Sequence, residues 1–230
     1  DNYEIGAMPA DGANRRQLTF DPKNDLNPRA APDGKRILFL SNRTGMPQVW
    51  QMDADGGNPR QITNSSVEVR DFEISPDGRT IIYEVWLPAQ ESVLFQKPID
   101  GSEINQLPFR APYHWNISPD GKFIAYQTQT PTGMKVRFSP FDENKTLKEF
   151  DLGNSDKFVW TKDGKALLFD RFHNDSDEIN IQPIDGGASK SLTNFNSDEN
   201  IWNFDISPSG KRIVLRRVKQ YFDIMQIKLN

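Results

Sequence analysis

Cysteine is absent from this chain of 230 residues, and histidine occurs only twice. Without cysteine there are no disulfide bonds, no zinc–thiolate sites and no thiol nucleophile. A chain without cysteine fits a periplasmic or otherwise extracytoplasmic bacterial protein, and a cytoplasmic location is the alternative. There is also no run of about eighteen apolar residues, so the sequence predicts no membrane insertion by this domain.

An excess of positive charge is missing as well. The chain has 28 Lys and Arg against 32 Asp and Glu, which gives a formal net charge of -4. Domains that bind nucleic acids usually carry a basic patch or stripe that neutralises phosphates. The charge balance therefore predicts no nucleic-acid partner for this domain.

Known catalytic motifs are absent too. The sequence contains no G-x-S-x-G elbow, no glycine-rich phosphate loop and no H-E-x-x-H pair. His114 and His173 are far apart in the chain, and each is more simply a surface or hydrogen-bonded histidine than a catalytic base. The sequence predicts no catalytic residue, no bound metal and no cofactor, and we expect that the protein is not an enzyme.

The chain does contain one turn motif that occurs five times. The copies are APDG (31–34), SPDG (75–78), SPDG (118–121), TKDG (161–164) and SPSG (207–210), with glycines spaced 44, 43, 43 and 46 residues apart. Proline's fixed φ suits the second position of a type I turn. The glycine is present in all five copies, because a left-handed backbone is needed where the next strand begins.

Short strands are predicted between these turns. A second turn follows each of the first four glycines after 22 or 23 residues. The predicted strands include Arg36–Leu40, Gln48–Met52, Thr80–Val85, Ile179–Ile184 and Arg212–Arg217. Four short strands in about 43 residues are typical of one β-propeller blade. We therefore expect an all-β propeller of four-stranded antiparallel blades, with about five blades recognisable.

The repeat also sets the expected domain limits within a single domain, 1–230. Full blades are expected at 21–63, 64–108, 109–151 and 152–193, a last blade without its outer strand at 194–230, and the outer strands of an incomplete blade at 3–20. We expect the outer pair to be ordered only where it docks on another sheet edge. We also expect the chain to end near Asn230, and further strands of a larger ring, with a possible additional domain, to precede Asp1. The alternative is a five-blade ring in which residues 14–20 pair with 222–229.

The innermost predicted strand of each blade alternates apolar and polar residues, as a strand buried on one face does. Six and four residues before each glycine stand the apolar pairs Pro28/Ala30, Phe72/Ile74, Trp115/Ile117, Phe158/Trp160 and Phe204/Ile206. We expect these to pack between neighbouring blades.

The polar residues of the same strands form a candidate ligand-binding set. Seven residues before each glycine stand Asn27, Asp71, His114, Lys157 and Asn203. If these line a central channel, they either bind a ligand or form a solvated wall. Glu73, Asn116 and Asp205, together with Asp71 and Asn203, could imitate the calcium ligands of propeller lactonases, but Arg29 and Lys157 nearby oppose a cation.

Two further segments are richer in aromatic residues than the repeat requires. They contain Trp86, Phe109, Arg110 and Tyr113, residue types that are favoured at binding hot spots. If Trp86 in a strand-connecting loop and the loop 107–113 share one rim, they form a partner-binding patch. The alternative is that these aromatics pack between blades.

Residues 27–63 closely resemble the WD40-like Pro-Asp repeat of TolB-type propellers. The features that carry the resemblance are Asn27-Pro28, the turn Pro32-Asp33-Gly34, Ser41-Asn42-Arg43 with Gly45, the turn at 52–57 and Arg60-Gln61-Ile62-Thr63. It implies a non-catalytic scaffold that binds a protein or peptide segment at the channel mouth or rim, as the sensor or interaction part of a bacterial envelope or signalling protein. Similar repeats occur in prolyl-oligopeptidase-type peptidases, so an accessory propeller that gates substrate entry is the alternative. A lactonase-like metal-dependent hydrolase, suggested by the polar residues above, is a third possibility.

Overall fold

The computed structural model describes residues 2–9, 11–87, 92–110, 113–141, 145–153, 155, 157–173, 176–195, 199–207 and 209–219. All regular elements in these ranges are β-strands, and they form four antiparallel four-stranded sheets and two strand pairs. The described ranges include no helix long and apolar enough to cross a bilayer. The predicted all-β propeller fold is confirmed.

The chain divides into two compact units, which are described separately. The first unit comprises residues 1–112 and 140–145, and the second comprises residues 113–139 and 146–230.

The first unit contains one strand pair and two blades. The pair joins β1 (Gly6–Ala7) to β2 (Arg16–Gln17). Blade 1 has the order β3 (Asp25–Ala30), β4 (Arg36–Ser41), β5 (Gln48–Asp53) and β6 (Arg60–Gln61). Blade 2 has the order β7 (Val69–Ile74), β8 (Thr80–Trp86), β9 (Ser92–Pro98) and β10 (Asn105–Arg110). Each blade is a simple meander of successive antiparallel strands.

The second unit contains two further blades and one strand pair. Blade 3 has the order β11 (Trp115–Ile117), β12 (Phe123–Thr130), β13 (Gly133–Pro140) and β14 (Lys148–Phe150). Blade 4 has the order β15 (Phe158–Trp160), β16 (Ala166–His173), β17 (Ser176–Pro183) and β18 (Lys190–Ser191). The last pair joins β19 (Glu199–Ile206) to β20 (Ile213–Lys219). β16 continues through His173, so this histidine ends a strand.

The five turn glycines adopt the left-handed conformation that the sequence predicts. Their φ angles are 67° at Gly34, 69° at Gly78, 72° at Gly121, 68° at Gly164 and 70° at Gly210. In each turn the glycine N–H donates to the carbonyl of the residue three positions earlier, as Gly164 does to Thr161 at 2.9 Å. The repeated motif is therefore a hairpin turn between the first two strands of a blade.

The aromatic side chains of the inner strands hold neighbouring blades together. Phe72 of β7 is buried in a cluster with Leu38 and Leu40 of blade 1. Phe158 of β15 packs in the same way in a cluster with Val136 of blade 3.

The inner strand of the last pair, β19, also packs on the preceding blade through its aromatic residue, whereas the inner strand of blade 1, β3, does not. Phe204 of β19 clusters with Leu168 and Ile179 of blade 4. Pro28 and Ala30 are exposed, so packing at these positions was a wrong prediction for β3. β3 has a β-bulge between Leu26 and Arg29, but β7 and β19 have a bulge at the same repeat position, so the bulge does not explain this difference. In the described part of the chain only the strand pair β1–β2 precedes blade 1, and its apolar side chains pack on β4 and β5 rather than on β3.

The N-terminal strand pair docks on blade 1. Ile5 and Leu18 are buried against Phe39 and Met52, which lie on strands β4 and β5. The N–H of Leu18 donates to the carbonyl of Ile5 at 2.8 Å. The pair is thus held by a sheet face of blade 1, whereas the sequence pointed to a sheet edge. The segment 222–229, which the five-blade alternative pairs with residues 14–20, lies outside the described residues.

The turn aspartates cap their own hairpins. Asp33, Asp77, Asp120 and Asp163 each accept a hydrogen bond from the backbone N–H two residues later, at 2.9 to 3.1 Å. At Asp163, hydrogen bonds from the hydroxyl of Thr161 and from the N–H of Lys165 lower the pKa below the ordinary value of 3.8. The ionised carboxylate therefore stabilises the turn, as it accepts both hydrogen bonds.

Replacing a turn glycine tests the left-handed assignment. We expect Gly34→Ala to destabilise the protein by about 1–2 kcal/mol, since a Cβ penalises this backbone. A Cβ at Gly34 would meet no atom within 4 Å, so the effect is purely conformational. The measurement is urea unfolding, with Gly34→Asn as the matched control, because asparagine tolerates this conformation better. Equal unfolding midpoints for wild type and Gly34→Ala would contradict the assignment.

The lowered pKa of Asp163 predicts a loss of stability in acid. A carboxyl whose pKa falls on folding stabilises the protein above its unfolded pKa, near 3.8, and loses this contribution as the pH falls through the folded value. Asp163→Asn keeps an acceptor oxygen but does not titrate, so its stability should decrease less between about pH 4 and pH 2. Urea unfolding over this range is the measurement, and Glu103→Gln, on an exposed loop, is the control. A variant with the same acid dependence as wild type would refute the role of this carboxylate.

Candidate functional site

A cleft of about 270 Å³ opens in the first unit, where the inner strands of blades 1 and 2 begin. Its lining residues are Asn24, Leu26, Asn27, Leu40, Ser41, Asn42, Pro47, Glu68, Val69 and Arg70. They come from the starts of β3 and β7, the end of β4 and the connections beside them. The cleft therefore depends on how two blades meet.

The cleft has an apolar floor and a polar rim. Leu40 and Val69 are buried, whereas Leu26 is 41% exposed. The rim carries three asparagine amides, and Asn27 has a positive φ of 49° within the bulge of β3. Amide side chains can both donate to and accept from a peptide backbone. A floor and rim of this kind suit an extended chain with one apolar side chain.

A cation–π contact borders the cleft, because Arg70 is one of the lining residues and stacks against Trp86. The guanidinium carbon of Arg70 lies 3.9 Å from the ring centroid of Trp86, and its Nε donates to Glu68 Oε1 at 2.8 Å. The same kind of stack occurs in the second unit, where Arg216 lies 4.3 Å from the ring centroid of Trp202. Tryptophan and arginine are both enriched at binding hot spots.

An ion pair beside the cleft orders the connection that follows β4. Arg43 Nη2 donates to both carboxylate oxygens of Asp25, at 2.8 and 3.1 Å, and its Nε donates to Ser41 Oγ at 2.9 Å. The Asp25 carboxylate is fully buried. The guanidinium also covers the rings of Trp50 and Phe39, at 4.6 and 5.4 Å from their centroids. Arg43 thereby holds Ser41 and Asn42 in position along the cleft.

The predicted polar set is divided between the two units. In the first unit Asn27 lines the cleft, and Asp71 lies 3.5 Å from Arg29. In the second unit the Nζ of Lys157 donates to Asn203 Oδ1 at 2.5 Å. In each unit, a positively charged side chain therefore contacts one residue of the predicted polar set.

His114 is hydrogen-bonded, as the sequence indicates. Its Nε2 lies 3.1 Å from the carbonyl oxygen of Phe158, and the two rings meet edge to face at 4.8 Å. This contact joins the start of blade 3 to β15 of blade 4. His114 therefore has a structural role in its own unit.

The predicted partner-binding set is only partly exposed. Trp86 ends strand β8 and is 40% exposed, and Tyr113, in the second unit, is 68% exposed. Phe109 is buried in strand β10 at 1% exposure, so its ring cannot touch a partner and its prediction as a rim residue was wrong. Arg110 ends the same strand. Residues 107–110 therefore belong to a strand where the sequence indicated a loop.

Sequence reasoning missed Leu26, Arg70 and Trp202 as surface residues. Together with Tyr113, they stand eight residues before the turn glycine of their copies. In blade 2 and in the last pair, the residue at this position is the unpaired residue of a β-bulge. The bulge turns its large side chain outward. A large side chain at this repeat position, whose residue type varies from copy to copy, could have indicated these surface residues in the sequence.

Metal ligation finds no support in the arrangement of acidic residues. Within the described part of the chain, no group of three or more His, Asp or Glu residues could hold a metal ion. Arg29 lies against Asp71 and Lys157 against Asn203, so cations already contact two of the suggested ligands.

A family model for the TolB beta propeller domain matches residues 1–135, more than half of the chain. The chain belongs to the TolB β-propeller domain family. Among curated relatives, the Tol-Pal system protein TolB of Bordetella pertussis is 45% identical over 40 residues, which cover 17% of this chain and 9% of that protein. The matched segment is thus a small part of the relative.

Solved structures show how widely the fold is shared. TolB of Acinetobacter baumannii gives a TM-score of 0.70 at 20% identity over 89% of this chain, and this chain spans about half, 51%, of that protein. A protein of Agrobacterium tumefaciens assigned to TolB gives 0.72 at 23% identity, covering 91% of this chain and 76% of that one. The acylaminoacyl peptidase of Pyrococcus horikoshii gives 0.61 at 18% identity, covering 85% and 35%. At these identities the likeness shows the fold alone.

Removing the buried arginine tests its support of the cleft. We expect Arg43→Met to destabilise the protein by about 3–5 kcal/mol, because the Asp25 carboxylate would stay buried without its cation. Thermal or urea unfolding measures the change. Arg60→Met, which removes an exposed ion pair with Asp100, is the matched control and should cost less than about 1 kcal/mol.

A double variant separates the ion pair from packing. Arg43→Met combined with Asp25→Leu should recover much of the lost stability, since no charge then remains buried. A single variant as stable as wild type would show that the pair does not order this region.

Proposed function

We propose that this chain is a non-catalytic scaffold that binds an extended segment of a partner protein, or a peptide, at the end of the blades where the inner strands begin. The observation that carries the proposal is the cleft between blades 1 and 2, with its apolar floor, its amide rim and the Arg70–Trp86 contact at its border. Leu26 and Trp86 are the expected apolar contacts, and Asn27 and Arg70 the expected polar ones.

The chemistry of the cleft supports a polypeptide ligand. Asparagine amides at the rim can hydrogen-bond to the backbone N–H and C=O groups of an extended chain. Leu26 and Trp86 offer apolar area for a side chain of the partner, and a stacked arginine is already ordered, so it loses little entropy on binding. Asp71 and the exposed Tyr113 are secondary candidates in their respective units.

The cellular setting is also a proposal. The Bordetella pertussis relative carries the name of the Tol-Pal system. We place the present chain in a bacterial envelope or signalling assembly, in the periplasm or elsewhere outside the cytoplasm, where it serves as the sensor or interaction part. We propose no cofactor, no nucleic-acid partner and no catalytic residue for it.

The second candidate is an accessory propeller of a peptidase. It is favoured by the similarity of the fold to the propeller-containing acylaminoacyl peptidase. In this case the chain would gate access to a hydrolase domain. Gene sequence beside this segment that encodes a hydrolase would favour this candidate.

Selection from a random peptide library on the immobilised protein tests the leading proposal. Selected peptides are then synthesised with a fluorophore, and their Kd is measured by fluorescence anisotropy. We expect Leu26→Asp and Trp86→Ala to weaken binding by about tenfold or more, because Leu26 lines the cleft and Trp86 stacks against Arg70, another lining residue. Ile104→Asp changes a similarly exposed apolar residue on a loop outside the cleft lining; it is the matched control and should bind like wild type.

Two results would overturn the proposal. The first is a set of peptides whose affinity is unchanged in both cleft variants and lost in Ile104→Asp. The second is turnover of a peptide, ester or lactone by the purified chain, with or without Ca²⁺ or Zn²⁺. Turnover that disappears in Asp205→Ala or Asn116→Ala would support the lactonase-like alternative.

A further inference from the structure

A second cavity, of about 290 Å³, lies in the second unit at the hairpin-turn end of blades 3 and 4. Its lining residues are Ser118, Pro119, Asp120, Phe123, Phe138, Trp160, Lys162, Asp163, Gly164 and Ile184. The cleft proposed above lies at the opposite end of its own blades, where the inner strands begin. The second cavity is therefore independent of that proposal.

Three aromatic rings form the interior of this cavity. The ring centroid of Phe138 lies 5.4 Å from that of Phe123 and 5.7 Å from that of Trp160, both edge to face. Phe138 and Trp160 are largely buried, and Phe123 is half-buried. Faces of aromatic rings carry negative electrostatic potential and attract cations.

The turns of the two blades add negative charge at the cavity mouth. The hydroxyl of Ser118 donates to Asp120 at 2.6 Å, and that of Thr161 to Asp163 at 2.7 Å. These hydrogen bonds lower the pKa of both carboxyls, so both are ionised at neutral pH. The two turns therefore place two carboxylates beside the three rings.

Blades 1 and 2 show what occupies the corresponding space in the first unit. There the side chain of Arg36 bridges the two turns: its Nε donates to Asp33 Oδ2 at 2.8 Å, and its Nη2 to the carbonyl of Gly78 at 2.9 Å. The guanidinium thus joins the turn of one blade to the turn of the next. It is a cation held between an aspartate and a glycine carbonyl.

The repeat aligns these two sites residue by residue. Arg36 stands two residues after Gly34, and Phe123 stands two residues after Gly121. The acceptors are retained, since Asp120 corresponds to Asp33 and Gly164 to Gly78. Among the described residues, none donates a hydrogen bond to the carbonyl of Gly164. Blades 3 and 4 thus keep the acceptors of a guanidinium site and replace the arginine with an aromatic ring.

We propose that the cavity between blades 3 and 4 binds the guanidinium of an arginine side chain supplied by a partner polypeptide. The guanidinium donates to Asp120 and to the carbonyl of Gly164, as Arg36 does to Asp33 and Gly78 in the first unit. Phe123, Phe138 and Trp160 provide the aromatic surface for its planar face, a preference that arginine shows over lysine. Asp163 supplies a second negative charge.

Among the described residues in the cavity lining, Lys162 is the one cation, and it does not oppose this assignment. Its side chain is exposed, and its Cβ and Cγ lie 3.2 and 3.3 Å from the place where a side chain at Gly210 would begin. Its stem thus packs along the turn of the last strand pair. The exposed ammonium is screened by water and reduces the negative charge at the mouth by one.

The first test needs no variant of the protein. Short capped peptides of glycine with a central arginine, citrulline or lysine are titrated into the isotopically labelled protein, and the shifts of the Trp160 indole N–H signal are followed by NMR. We expect the arginine peptide to bind at least about tenfold more tightly than the citrulline peptide, which has the same shape without the charge. We also expect it to bind more tightly than the lysine peptide.

Substitutions then locate the site. Phe123→Arg places a guanidinium on the chain itself, in the position that Arg36 has in the first unit, and should abolish binding of the arginine peptide. Asp120→Asn keeps an acceptor for the turn but removes the charge, and should weaken binding about three- to tenfold. Asp33→Asn, the same change at the turn where Arg36 is present, is the matched control and should have no effect.

Three outcomes would overturn the proposal. They are equal affinity for the arginine and citrulline peptides, equal affinity for the arginine and lysine peptides, and binding that survives in a folded Phe123→Arg protein. If Phe123→Arg does not fold, Asp120→Asn decides the location of the site, and unchanged binding in that variant overturns it. Because the cleft variants Leu26→Asp and Trp86→Ala should bind the arginine peptide normally, failure here is distinguishable from failure of the proposed function.

Discussion

The structure depends on the burial of blade faces against each other. A four-stranded blade is a single layer, and it has no core until a neighbour covers its apolar face. Phe72, Phe158 and Phe204 supply this cover from the inner strand of the following sheet. Each fully buried ring of this kind stabilises the fold by about 1.5–3 kcal/mol. The N-terminal pair obeys the same rule, since Ile5 and Leu18 cover the outer part of blade 1.

Because stacking uses the middle of the strands, the ends of the blades are free to differ from copy to copy. Arg43 and Asp25 form a buried ion pair in blade 1, and the corresponding position in blade 2 is Leu87. Arg36 fills the space between the turns of blades 1 and 2, whereas Phe123 leaves a cavity between those of blades 3 and 4. Both proposed binding sites are differences of this kind. They lie where two blades meet and where packing does not dictate the residue.

The same reasoning explains why the fold does not decide the function. TolB of Acinetobacter baumannii and a peptidase of Pyrococcus horikoshii both superimpose on this chain, at 20% and 18% identity. What they share with it is the stacked meander. Function has to be argued from the residues at the blade ends, such as Trp86 with Arg70, or Asp120 with Phe123.

The sequence alone determined the features that are local. The left-handed glycines, the capping aspartates and the burial of the inner-strand aromatics follow from a few neighbouring residues, so the turn, the strands and the propeller fold could be predicted. The candidate site was predicted only in part: Asn27 and Trp86 were identified, whereas Leu26 and Arg70 were not. Tertiary structure decided that Phe109 is buried, that Arg70 covers Trp86, and that Ile5 and Leu18 dock on Phe39 and Met52. The physical reason is that these contacts join residues far apart in the chain, and their distances depend on strand register, bulges and the packing of one blade on the next, which no short segment encodes.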